Sequence, residues 1–194
     1  PEAEEIFHRA GENFEEVYTF LSKDENPNRK KLLFSLALKD AKDLKASVLE
    51  DHLDCEQGDL PEEIFRKDLL CPRIFLEELT PYRSVIRGFF EEETKHSFAE
   101  QPERILDYLK KNITFHAEEE YDTIMATPVG VLTMKQGSPL AQKILFVAIC
   151  RSLNVAARLN PVTLEPEYYR DGEFHSVETE APVLKEETES AVLT

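Results

Sequence analysis

The chain has 194 residues, 41% of them hydrophobic and 32% charged, which suffices for one sizeable domain, or a domain with a helical extension, around a genuine core. Its 39 acidic side chains outnumber 23 basic ones for a formal charge of −16, which excludes a nucleic-acid binder and disfavours an anionic membrane surface. No apolar run is long enough to cross a bilayer, so no membrane insertion is expected. Cys55, Cys71 and Cys150 have neither paired nor metal-ligand spacing, so we expect no disulfide framework, no metal and no cofactor.

Residues 3–22 carry Ile6, Phe7, Ala10, Phe14, Val17, Tyr18 and Leu21 at helical spacing, interrupted by Gly11. After the turn cluster Asp24-Glu25-Asn26-Pro27-Asn28, a second helical stretch runs from Arg29 to Leu53, with a break expected near Lys39-Asp40. Cys55 to Leu60 is a polar loop. Pro61, Pro81 and Pro102 then stand where helices begin, announcing helices over 61–70, 81–91 and 102–112, and another short one is expected after Pro72.

Beyond Asn112 the pattern changes. Ile113 to His116 alternates like an edge strand, and Val155–Leu159, Glu167–Arg170, Glu173–Glu178 and Ala191–Thr194 read as strands. Asp171-Gly172 is a strong hairpin signal. Helices first, then a helix with antiparallel strands, define an α+β fold. We expect a helical subdomain over 1–101 and a core over 102–194. The opening Pro1-Glu2 and the strand cut short at Thr194 read as a fragment of a longer protein, with the compartment, cytoplasmic or extracellular, left open.

The organising stretch is Thr127 to Arg158: a loop, a deeply apolar helix, a break and the start of a strand. Gly137 closes the loop, Ser138 is placed to accept from a first-turn amide, and Pro139 suits the first helical position. Leu140, Ile144, Leu145, Ala148, Ile149 and Leu153 follow helical spacing, and Phe146, Val147 and Cys150 fill most of the remaining circumference. Such a helix is buried on nearly all sides. Asn154 is suited to end it in a left-handed conformation.

The spacing of Gly137, Phe146, Val147, Ala148, Arg151, Leu153, Ala157 and Arg158 resembles the transglutaminase-like core, a papain-type cysteine fold. That resemblance covers about 102–178 and implies a buried central helix packed on an antiparallel sheet. It also implies a thiolate at the helix N-terminus, a histidine base on a neighbouring strand and a carboxylate that orients the histidine. Carried over position by position, the cysteine falls on Pro139, and Glu178 replaces the aspartate if Phe174 holds the place of the family's Trp. The segment Leu159–Arg170 contains no histidine; Tyr168 and Tyr169 stand nearest its place. Only a carboxylate survives, so the family's mechanism has lost its nucleophile and its base.

Ser138, Tyr168, His175 and Glu178 are the candidate groove residues. Ser138 serves best as a helix cap, and Cys150 as a small core hydrophobe. With Phe174 on the core side of its strand, His175 faces solvent. His52, amid Glu50, Asp51 and Asp54, reads as part of a solvated helix end. The runs Glu91–Glu93 and Glu118–Glu120 lack the glycine turn of a calcium loop and read as solvated faces. Arg73, Arg83 and Arg87 fit ion pairs with Glu77, Glu78 or the acidic surface better than a clamp for the carboxylate of a ligand or sugar acid. Arg151 and Arg158 read as structural.

Three readings follow. The leading one is a non-catalytic binding or scaffolding module, with a peptide, a polysaccharide or neighbouring domains of the same protein as partner. The alternative is a hydrolase or acyl transferase on peptide or amide substrates, with a rebuilt site using Ser138, Glu178, His175 or Tyr168. The third is a structural spacer.

Overall fold

The computed structural model describes residues 2–116 and 127–179. The chain begins with a helical layer. Helix α1 (Glu2–Ala10) and helix α2 (Phe14–Ser22) are joined by a 3₁₀ turn at Gly11–Asn13, where Gly11 adopts φ +52°.

The stretch expected to break once, near Lys39-Asp40, breaks twice, at Leu36-Ala37 and Leu44-Lys45. It forms α3 (Asn28–Ser35), α4 (Leu38–Asp43) and α5 (Ala46–Leu53). Neither break has Gly or Pro. Their freed backbone groups are taken up by side chains from the first two helices and the turn between them. Arg9 donates to the Leu36 carbonyl, Asn13 Nδ2 donates to the carbonyls of Ala41 and Leu44, and the Glu16 carboxylate accepts from Ala46 N–H at 2.7 Å. Because partners 27 to 31 residues away stabilise the breaks, local sequence does not announce them.

Helix α6 (Glu62–Ile64) runs on into a π-helical turn at Phe65–Leu70 that buries Phe65, Leu69 and Leu70. The short helix expected after Pro72 does not form. Residues 73–77 instead fold around Glu77, whose carboxylate accepts from Ile74 N–H and Phe75 N–H. Arg73 donates to the Glu77 carbonyl and to Asp40.

Helices α7 (Tyr82–Phe89) and α9 (Glu103–Asn112) lie where the prolines announced them. Helix α8 (Glu92–Glu100) is additional, its first turn formed by the acids that read as a solvated face. The edge strand expected at 113–116 reduces to one parallel bridge, Thr114 with Gln136. Helix α10 (Pro128–Met134) forms where a loop was expected, capped by Thr127 Oγ1 accepting from Gly130 N–H at 3.1 Å. The central helix α11 spans Pro139–Ser152.

Strands β1 (Ala157–Leu159), β2 (Pro166–Arg170) and β3 (Glu173–Ser176) form an antiparallel sheet in sequence order. Asp171 and Gly172, at φ 53° and 87°, make the two-residue hairpin that sets Arg170 opposite Glu173. The fold is therefore α+β. The acidic run 118–120 and the strand expected at 191–194 lie outside the described residues.

The apolar core divides into two clusters. One spans Ala10 to Cys71 and includes Ala156; the other spans Tyr82 to Val177 and surrounds α11, whose residues Leu145 through Cys150 are all fully buried. The sheet contributes to both. Ala157, Leu159, Tyr168 and Val177 pack in the α11 cluster, whereas Tyr169 packs against the helical layer.

Buried arginines stitch the clusters together. Arg151 donates to the carbonyls of Ala157, Cys71 and Arg73, and Arg83 to those of Leu69, Leu70 and Arg151. Arg87 reaches the Ser152 carbonyl and Asp54. Of the three arginines singled out in 71–90, Arg73 pairs with Asp40 through both Nε and Nη2 and Arg87 pairs with Asp54, so two form ion pairs with acids other than Glu77 and Glu78. Arg83 and Arg87 also hold backbone carbonyls at this junction, and Arg73 holds that of Glu77 within its own loop.

Candidate functional site

The mouth of α11 is built from three local devices. Gly137 is buried, and a Cβ there would lie 2.8 Å from Cγ1 of Val131, so the close approach of α10 to this turn requires glycine. Ser138 is the N-cap, its Oγ accepting from Ala141 N–H at 3.1 Å. Pro139 occupies the first helical position, where its missing N–H costs nothing. All three follow the sequence expectation.

Around this mouth the loop after β1 is tied to the second helical turn. Lys143 Nζ pairs with Glu165 at 2.6 Å, and Thr179 Oγ1 donates to the same carboxylate at 2.5 Å. Burial pushes the Glu165 carboxyl up, but the bonds from Lys143 and Thr179 outweigh this and hold it below its ordinary range. Sequence reading missed this trio because its members are 14 and 22 residues apart and follow no helical or strand period. Met134, Leu140 and Val162, on the elements flanking the mouth, are 58%, 37% and 89% exposed.

Tyr168 and His175 lie elsewhere. They are directly opposite each other on β2 and β3, with rings stacked at 5.4 Å between centroids. Tyr168 also faces Ala157, whose carbonyl accepts from Arg151, so the pair stands level with the last turn of α11. At 1.5 Å per residue this is about 20 Å from Ser138. The Tyr168 hydroxyl donates to Glu103, and burial together with that bond pushes it up to about 12. His175 Nε2 is bonded to the Arg170 carbonyl at 3.1 Å.

Placement on the two faces of β3 is the reverse of the sequence expectation. Both are half-buried: His175 lies on the α11 side, and Phe174 lies under the Arg158 guanidinium, which is 3.7 Å from its ring centroid. Arg158 in turn pairs with buried Glu167 at 2.6 Å. The cation stacked on Phe174 and paired with Glu167, together with the edge contact with Tyr169, favours the sheet face turned toward the helical layer for that ring. Glu178 is exposed just beyond β3. Of the four candidate groove residues, Ser138 stands at the helix mouth, Glu178 is exposed next to Thr179 of the trio, and Tyr168 with His175 stands toward the far end of α11.

His52 is not part of a solvated helix end. It is fully buried, bonded to the Thr80 carbonyl through Nε2 and to Arg83 through Nδ1. Burial, and next the Arg83 charge, push it well below its ordinary value. Cys150 is fully buried in the core as expected, and burial pushes its thiol far up, so it is inert. Among the described residues no group of three or more His, Cys, Asp or Glu side chains is placed to hold a metal ion, and no helix is long and apolar enough to cross a membrane. An open depression of about 330 Å³ on the helical layer, lined by Asn26, Asn28, Glu50, Leu53, Asp54 and Cys55, contains no residue of the mouth.

A buried helix that starts at a capped glycine turn and packs on an antiparallel hairpin sheet is the architecture expected from the 127–158 block. The comparison with protein families agrees: residues 83–178 match the transglutaminase-like superfamily, and this part of the chain is a transglutaminase-like domain. The match begins at α7 rather than at residue 102, consistent with Tyr82, Ile86, Phe90 and Phe98 packing in the same cluster as α11. Neither the curated proteins nor the solved structures yield a match to the chain.

Proposed function

We propose that this transglutaminase-like domain is a non-catalytic binding or scaffolding module. The observation that carries the reading is Pro139 at the start of α11, with the neighbouring Ser138 hydroxyl engaged as the helix cap. The residue that the family resemblance sets in the nucleophile's place has no thiol or hydroxyl. The one adjacent hydroxyl already accepts a backbone N–H, and Tyr168 and His175 stand about 20 Å away along the helix. Among the described residues Ser138 Oγ has no hydrogen bond to a histidine or carboxylate, and a serine without such a base is a poor nucleophile. The absence of histidine from 159–170 supports the same reading.

The surface around the helix mouth is the proposed binding surface, with peptide as the first class of ligand to test. Exposed Met134, Leu140 and Val162 offer apolar contacts there, and the Lys143–Glu165–Thr179 trio offers a polar anchor.

The test is an assay of amine incorporation into glutamine peptides and of amide hydrolysis, run on the wild-type chain and on Ser138→Ala. We expect no turnover from either. Turnover that is present in the wild type and lost in Ser138→Ala would establish the rebuilt-site hydrolase or acyl transferase instead.

A further inference from the structure

The surface of α1 and α2 carries a feature that neither the core nor the helix mouth uses. Phe7, Phe14 and Tyr18 form one row of rings across the Gly11 turn. Phe7 and Phe14 stack with centroids 4.7 Å apart and planes within 5°, and Phe14 and Tyr18 follow at 5.8 Å and 29°. Residues seven apart meet because the 3₁₀ turn, with Gly11 at φ +52°, sets the two helices so that these positions coincide. Phe14 is half-buried, but Phe7 and Tyr18 are each 59% exposed. Single exposed aromatics are ordinary; a contiguous row marks an interaction surface.

The flanking charges say what fits it. Glu4 and Glu15 stand three residues before Phe7 and Tyr18, on the same helix faces, and Glu12 lies between. All three are exposed and join no ion pair among the described residues. The other acids of these helices are engaged: Glu2 by Lys30, Glu5 by Arg9, and Glu16 by Ala46 N–H. Stacking covers the inner ring faces, so the row does not offer the open platform that a sugar ring needs. A second copy of the chain would bring the same acids, against a formal charge of −16 on each molecule.

We propose that the outer face of α1 and α2 docks a cationic amphipathic helix of a partner protein, its apolar side chains on the Phe7–Phe14–Tyr18 row and its Lys or Arg side chains on Glu4, Glu12 and Glu15. Apolar contact supplies affinity, and the flanking acids select sign and register.

The probe is an amphipathic helical peptide of about 14 residues, long enough for helix formation on the surface, made of Leu and Lys at helical spacing. A Leu/Glu peptide of the same pattern is the control. Isothermal titration against the whole chain is expected to show binding of the Leu/Lys peptide that weakens with salt, and none of the Leu/Glu peptide. Phe7→Ser with Tyr18→Ser should weaken binding by about ten-fold or more, with the thermal midpoint unchanged because both side chains are largely exposed. Glu4→Gln with Glu15→Gln should weaken it and flatten the salt dependence.

Equal affinity in the ring variant would overturn the proposal, because it reduces the interaction to non-specific attraction by the acidic chain. So would binding of both peptides, or of neither. Sedimentation that shows a wild-type dimer abolished by the ring variant would assign the face to a second copy instead.

Discussion

Arg83 donates its Nε–H to Nδ1 of His52 at 2.9 Å, and both side chains are fully buried between the helical layer and the α11 cluster. With Nδ1 accepting, the imidazole proton sits on Nε2 and is donated to the Thr80 carbonyl. The guanidinium uses its remaining donors on the carbonyls of Leu69, Leu70 and Arg151. One arginine therefore satisfies acceptors from α5, the π-helical turn and α11. Arg83→Met should leave these acceptors dry and unpaired, at about 3 kcal/mol or more of stability. A urea titration checks this; a change within about 0.5 kcal/mol would mean that water takes over the arginine's role.

The same contact predicts a pH dependence with a definite sign. His52 is held well below its ordinary 6.5, so below that pH the unfolded chain binds a proton that the folded chain refuses. The stabilisation is fully present above 6.5 and is lost progressively as pH falls toward the folded value, with a limiting slope of about 1.4 kcal/mol per pH unit. His52→Gln should remove this component of the slope between pH 6.5 and 5. Denaturation midpoints of both proteins across that range decide the matter.

Gly137 and Val131 form a second testable pair. A methyl group at 137 meets Val131 Cγ1 at 2.8 Å, so Gly137→Ala should cost about 1–3 kcal/mol. Removing the obstacle in the double variant Gly137→Ala with Val131→Ala should make the alanine at 137 nearly neutral relative to Val131→Ala alone. Thermal unfolding of the four proteins in this cycle gives the coupling directly.

Asn154 has two duties that substitution separates. Its backbone is left-handed at φ 62°, and its side-chain amide accepts from Glu56 N–H and donates to the Glu56 carbonyl. Asn154→Gly keeps the backbone conformation and loses only the docking of the 55–56 loop. Asn154→Ala loses both and should be the less stable by about 1 kcal/mol. Hydrogen exchange at Glu56 should rise in both variants.

Pro139→Cys places a thiol at the helix N-terminus. It should fold, and the positive end of the α11 dipole should bring its thiol below the free value of about 8.5. We expect alkylation with iodoacetamide to follow that lowered value while amine incorporation stays at background, because a nucleophile without a base is not a catalytic pair. Substantial amine incorporation would show that a base reaches the mouth after all.

The helix mouth, the end of α11 and the β2–β3 hairpin were legible in the sequence because each of their parts is a local device. Gly137, the Ser138 cap, Pro139, the left-handed Asn154 and the Asp171-Gly172 turn each act within a few residues. The periodic apolar face of α11 likewise announced its burial, and the spacing of the 137–158 block pointed to the transglutaminase-like family.

Other features depended on contacts that no local pattern encodes. His52 was misread because its neighbours in sequence are acids, while its neighbours in space are Arg83, Thr80 and Tyr82. The breaks flanking α4 were invisible because Asn13, Arg9 and Glu16 supply the missing bonds from another helix. The direction of Phe174 was set by Arg158, sixteen residues earlier, through stacking rather than by alternation alone. Sequence determined where this chain turns, caps and buries a helix, since those energies are settled over one helical turn. Tertiary structure decided which buried polar groups find partners, and which candidate site residues stand together or some 20 Å apart, since those energies exist only once distant segments have met.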